Sequence, residues 1–260
     1  MIPESLGNIN HILPKGVVCD ACNNYFAVKI EKPLLETPYF VNLRQRNVIR
    51  NKKGRLIPDK VLFLHPEAGW VEAWMDEKGF ILRSDDSKII SLIKEGKINS
   101  MMIPTVPELH QPNLALSRFL AKADLELVAF YCYAPGPYND EFIIQNNLDN
   151  LREYARYGSG QYWPYHQRRI YSEEDRFINT DIQTESYEIL HEMDFLMVDF
   201  EHIYSVIVIM GIEYVIRLSA PEIESYKQWL FDNDDRSPIR RGREYMVEPS
   251  NSNFLDRNGN

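Results

Sequence analysis

Cys19-Asp20-Ala21-Cys22-Asn23-Asn24 reads as half of a metal site set at the start of a helix. Two thiolates separated by two residues can grip one zinc ion from a tight turn, and a structural zinc takes four ligands. The remaining cysteine, Cys132, stands more than a hundred residues downstream in an apolar run and is expected to be plain core. The partners of the pair are therefore either not cysteines or lie ahead of the first residue. After the pair, Tyr25, Phe26, Ile30 and Leu34 recur at helical spacing, which predicts a helix over about 20–31. Asp20 suits its first turn, where a carboxylate meets exposed amides. Pro33 should end or kink it.

Upstream of the pair, Pro3, Gly7, Asn8 and Asn10 mark loop, and residues 11–14 and 16–18 read as short extended pieces around a turn. Residues 1–40 are thus expected to form a small module. A second region, 41–231, shows a strand at 61–64 and a hairpin from 70–75 and 80–82 that turns at Gly79. Residues 88–94 fit a short helix or a strand equally well. Asn113 or Ser117 is expected to cap a long helix that runs to about 131. A further helix is expected at 142–157, stopped by Gly158. Strands are expected at about 188–200, 202–210 and 212–219, with Gly211 as a tight turn, then a helix opening at Ala220-Pro221. Meander strands beside separate helices argue α+β with an antiparallel sheet. Residues 232–260 are polar and charged and are expected to be a mobile tail.

Composition excludes some functions and permits others. No apolar run approaches the roughly 20 residues of a membrane helix, and Met1-Ile2-Pro3-Glu4 lacks a basic start and an apolar stretch of the secretory kind. Three cysteines do not make a disulfide framework, so a reducing cytoplasm is the expected compartment. A net charge of −9 argues against a generic nucleic-acid coat. The average hides a patch, however. Residues 44–60 carry seven bases (Arg44, Arg46, Arg50, Lys52, Lys53, Arg55 and Lys60) against the one acid Asp59. Such a segment is either a solvated loop or hairpin, or an arm that touches phosphates.

Ile2-Pro3-Glu4-Ser5-Leu6-Gly7-Asn8, followed by the cysteine pair and Asn23, resembles the HNH endonuclease family in its zinc-bound, four-cysteine branch. In that family a first Cys-x-x-Cys and an acidic-His pair precede an Ile-Pro loop, and a second Cys-x-x-Cys-Asn opens a helix. The resemblance covers about residues 2–36. It implies a truncated ββα-metal module, treble-clef-like, followed by the larger α+β domain. It further implies Cys19 and Cys22 as ligands of a structural zinc whose site is incomplete, and Asn23 as the residue that pins the loop bearing the base. Glu31, eight residues on, is the implied helix ligand for a magnesium-like catalytic cation. The implied partner is DNA, with Arg44, Arg46, Arg50, Lys52, Lys53 and Arg55 on its phosphates.

The departure from the family lies at the front. The position of the acidic-His pair falls at or before Met1, and His11 sits after the loop, where the family places no base. The chain is therefore expected to start inside the module. Loss of a general base costs about 10²–10⁴-fold in rate, so weak or no cleavage is expected of the chain as it stands. The alternative function is a non-catalytic DNA-binding or interaction protein that keeps the companion domain. Trp163-Pro-Tyr-His166-Gln-Arg168-Arg169 can stack bases or can be a packed aromatic loop with a basic end, and His191-Glu192 and Glu201-His202 share no face.

Overall fold

The structure is a computed structural model that describes residues 1–9, 11–51, 53–76, 79–84, 86–103, 112–133, 143–173, 175–178, 190–239 and 246–248. The chain divides into two compact units. The first combines Ile2–Asn10 with Asp20–Gln111, and the second combines Met1 and His11–Cys19 with Pro112–Asn260. Both mix helices with antiparallel sheet, which is the expected α+β class.

The first unit opens with a short 3-10 turn at Glu4–Leu6 whose Leu6 is fully buried. Helix α1 (Asp20–Phe26) runs through a π-helical turn (Ala27–Glu31) into α2 (Lys32–Leu35). Proline 33 is the cause one would look for. It has no N–H for the Lys29 carbonyl, and a widened turn just before it re-registers the ladder. The backbone N–H of Lys32 accordingly donates to Ala27. Of the two outcomes expected at Pro33, an end or a kink, the helix does not end: a π-turn precedes the proline and the helical run continues to Leu35. Helix α3 (Pro38–Arg46) follows with proline at its favoured start.

The sheet of this unit has the order β3 (Gly79–Arg83), β2 (Trp70–Asp76), β1 (Asp59–Phe63), β4 (Met101–Met102), all antiparallel. Val61, Phe63, Val71 and Ala73 point to one face, where Ile89 joins them in the core. Ile89 belongs to α4 (Ser87–Lys94), which resolves the ambiguous stretch as helix. The Asp86 side chain caps it by accepting the Lys88 N–H.

In the second unit, α5 (Leu114–Tyr133) begins at Asn113, whose Oδ1 accepts the Leu116 N–H at 2.8 Å. Ser117 is not the cap. It is buried, with its hydroxyl on the Trp163 carbonyl and the Tyr154 hydroxyl. Helix α6 (Asp149–Tyr157) is shorter than expected, because Asn146 and Asn147, poor helix formers, hold a 3-10 turn ahead of it. Gly158 ends it in the left-handed conformation. The sheet has the order β5 (Tyr165–Arg169), β9 (Ile212–Arg217), β8 (Ile203–Ile209), β7 (His191–Met197), and a short β6 (Arg176–Ile178) pairs with β10 (Met246–Glu248). Met210 and Gly211 both have positive φ and form the two-residue turn between β8 and β9. A Cβ on Gly211 would run into the Tyr171 carbonyl oxygen.

One sheet face carries Ser205, which bonds Asp124 of α5, and the other carries Tyr204, Val206, Val208 and Val215 beneath α7 (Glu224–Asp232). Helix α7 starts after Pro221 rather than at it, and the Glu222 carboxylate accepts the Ser225 N–H in its first turn. The segment expected as a tail begins with packed residues: Ser237 and Ile239 are buried. Arg240, Arg241 and Arg243 lie outside the described residues.

Candidate functional site

The Ile-Pro loop folds back on itself. Its closure is Asn8, whose Nδ2 donates to the Ile2 carbonyl at 2.8 Å while the Gly7 N–H donates to Glu4. Asn8 is buried, so this amide bond replaces water for a carbonyl that would otherwise be stranded. In sequence Asn8 marks a loop and closes the Ile-Pro motif, but nothing there shows that its side chain ties the loop shut.

Helix α1 opens at Asp20, the residue directly after Cys19. Cys19 is exposed and Cys22, within the first turn, is half-buried. Asn23 is exposed and Glu31 half-buried at the end of the π-turn. On an unbroken α-helix, eight residues rotate the chain by about 800°, which leaves two side chains roughly 80° apart around the axis. A π-turn acts as about one inserted residue, or about 100° taken back. Asn23 and Glu31 therefore project from nearly one side of the run.

Among the described residues, no group of three or more His, Cys, Asp or Glu is placed to hold a metal ion. Two thiolates fall short of the four donors of a structural zinc, and one carboxylate does not make a magnesium site. The residues present thus do not by themselves complete either site. His11 is half-buried with its ring edge-on to Phe130 at 6.0 Å, and burial pulls its pKa down, assisted by the charge of the chain's amino terminus.

The basic stretch divides into two kinds of residue. Arg44 is structural: its Nη2 donates to the Leu35 carbonyl at 2.9 Å and its Nε to Phe40 at 3.3 Å, which ties α3 to the end of α2. Burial pulls its pKa down and Glu36 opposes the shift. Arg50, Lys53 and Arg55 lie exposed on the loop between α3 and β1. That loop is held by Asn51, whose Oδ1 accepts the N–H groups of Lys53 and Arg55 at 2.9 and 3.1 Å. Lys52 lies outside the described residues. Arg46 lines a cavity of about 300 Å³ between α3 and the sheet.

The aromatic-basic stretch at 163–169 is packed. The Trp163 indole N–H donates to the Arg217 carbonyl, and Arg168 pairs with buried Glu213 at 2.7 Å. Glu213 also accepts from the hydroxyls of Tyr226, at 2.8 Å, and Ser237. Burial raises the Tyr226 phenol, with the nearby Glu213 charge adding to the shift.

No helix among the described residues is long and apolar enough to cross a membrane. No known protein family, curated protein or solved structure matches this chain.

Proposed function

We propose that residues 2–36 are the back half of a zinc-bound HNH-type module, and that the intact form is a metal-dependent endonuclease acting on DNA phosphodiesters. The observation that carries the reading is the start of α1 directly after Cys19, with Cys22 and Asn23 in its first turn and solvent within reach of both. The reading would have fallen had either cysteine been locked in an apolar core with no helix beside it. On this reading Cys19 and Cys22 are two of four zinc ligands, Asn23 steadies the loop that bears the base, and Glu31 serves the catalytic cation. The companion α+β region selects the target, and a reducing cytoplasm is the matching compartment.

The second reading is a non-catalytic DNA-binding or interaction protein. It is favoured by the lack of a third metal-ligating group beside the two thiols among the described residues, and by the exposed Arg50, Lys53 and Arg55.

A plasmid-nicking assay in magnesium and in EDTA decides between them. The unextended chain should nick weakly. A version extended upstream by a Cys-x-x-Cys and acidic-His segment should nick at least about 100-fold faster, the lower range for a recovered general base. Equal rates from the two chains would sink the nuclease reading.

A further inference from the structure

The outer face of the first unit's sheet departs from the usual pattern. A solvated face of an antiparallel sheet is ordinarily polar. Val61, Phe63, Val71 and Ala73 are taken up by the core, so the residues that alternate with them face outward. Register joins Trp70, Leu62 and Met102 in one row across three strands. Trp70 is 58% exposed and Met102 53%. Ile81 of β3, and Leu64 just past β1, are exposed on the same side.

Charge on this face follows the same register. Lys60, Glu72 and Arg83 form the neighbouring row, with the acid between the two bases and all three exposed. Ile81 lies to one side of that row, and Trp70, Leu62 and Met102 lie to the other. A row that alternates in sign is complementary to its own reverse.

We infer that this face pairs with the same face of a second copy of the chain, sheet against sheet. The strand order β3, β2, β1, β4 puts the middle of the sheet between β2 and β1. A two-fold axis there sets Glu72 of each copy over Lys60 of the other, and Trp70 of each over Leu62 of the other. Such a contact is isologous and closes at two copies, and face-to-face packing of this kind is that of a β-sandwich. Strands lie about 4.8 Å apart and rise about 3.4 Å per residue, so the face measures roughly 15 by 20 Å. Roughly 300 Å² falls short of the about 800 Å² per partner of a standard interface, which suits a weak, micromolar pairing. The inference stands apart from the nuclease reading and needs neither metal nor DNA.

The test is sedimentation velocity on the full chain over a concentration series. The parent should pass from monomer to dimer in the micromolar range and go no further. Trp70→Ser should weaken the dimer about tenfold or more, as for a central aromatic anchor. Glu72→Lys sets like charges opposite one another, and so does Lys60→Glu, so each variant alone should dimerise at least about tenfold more weakly than the parent. An equal mixture of these two variants should dimerise again, because each then meets the opposite sign. Both charge changes fall on exposed side chains, so they decide the matter even if the tryptophan variant does not fold. A parent that stays monomeric throughout overturns the inference. So does a dimer that none of the variants weakens, or a mixture that stays as monomeric as its components.

Discussion

The two four-stranded sheets share an antiparallel ladder and differ in how they are covered. In β8 every residue from Tyr204 to Ile209 is buried, because α5 lies over one face and α7 over the other. In β3, Phe80, Ile81, Leu82 and Arg83 are all exposed. The second unit thus puts its sheet at the centre of a sandwich, and its polar groups are consumed internally, as the Glu213 cluster shows. The first unit packs one face of its sheet and keeps a cavity, a basic loop and exposed apolar side chains near water. Burial is concentrated in one unit and accessible side chains in the other.

The largest effect that could break this comparison comes from Glu213→Ala. It removes a buried acceptor from Tyr226 and Ser237 and leaves the Arg168 guanidinium, only 19% exposed, without its ion-pair partner. A loss of about 3–5 kcal/mol in urea unfolding is expected, the usual consequence of stranding a buried charge. A loss under about 1 kcal/mol would show that the cluster is not a stabilising centre.

A smaller effect sharpens it through pH. Burial holds the Asp124 carboxyl well above its ordinary range, which favours its protonated form beside Ser205. In the unfolded chain the same group ionises near pH 4. The native state is therefore favoured below about pH 4 and loses this advantage as pH climbs towards the folded value. Asp124→Asn should raise stability by about 1–3 kcal/mol at pH 8, the penalty of a poorly satisfied buried group, and by less at pH 5. A variant that melts with the parent's pH dependence would refute the assignment.

The smallest stability effects belong to the basic stretch. Arg50→Ala, Lys53→Ala and Arg55→Ala should each change stability by no more than about 0.5 kcal/mol. Each should also reduce the salt slope of DNA binding by about one. Arg44→Ala should do the reverse, costing about 1–2 kcal/mol through two lost hydrogen bonds to backbone carbonyls and leaving the slope unchanged. Paired measurements of unfolding and of affinity against salt separate the two kinds of arginine.

Local signals made much of this fold legible. Alternation along β1 and β2, the glycine turn at Gly211, the Asn113 cap and the stop at Gly158 all depend on neighbours in sequence, while residues 77–78 of the expected turn before Gly79 lie outside the described residues. The start of α1 at Asp20 was legible for the same reason. The division of the chain was not. Residues 1–40 looked continuous, yet Ile2–Asn10 and Asp20 onward belong to one unit, and His11–Cys19 to the other. Only long-range packing decides that. Strand β5 was hidden because Tyr165, Gln167 and Arg169 alternate with His166 and Arg168, so no apolar period marks it. Within the candidate site, composition grouped Arg44 with the exposed bases, although the carbonyls it serves come from Leu35 and Phe40.

The turn at Met210-Gly211 also sets the order in which the second sheet comes together. Closing β8 on β9 requires two residues of loop, the least entropy of any pairing in that sheet. β7 adds across another short link, whereas β5 must return from far upstream to reach the other edge of β9. Topology of this sort makes the late arrival the slow step. Without β5, one flank of β9 would present a row of unpaired amides and carbonyls, an edge open to pairing with another chain.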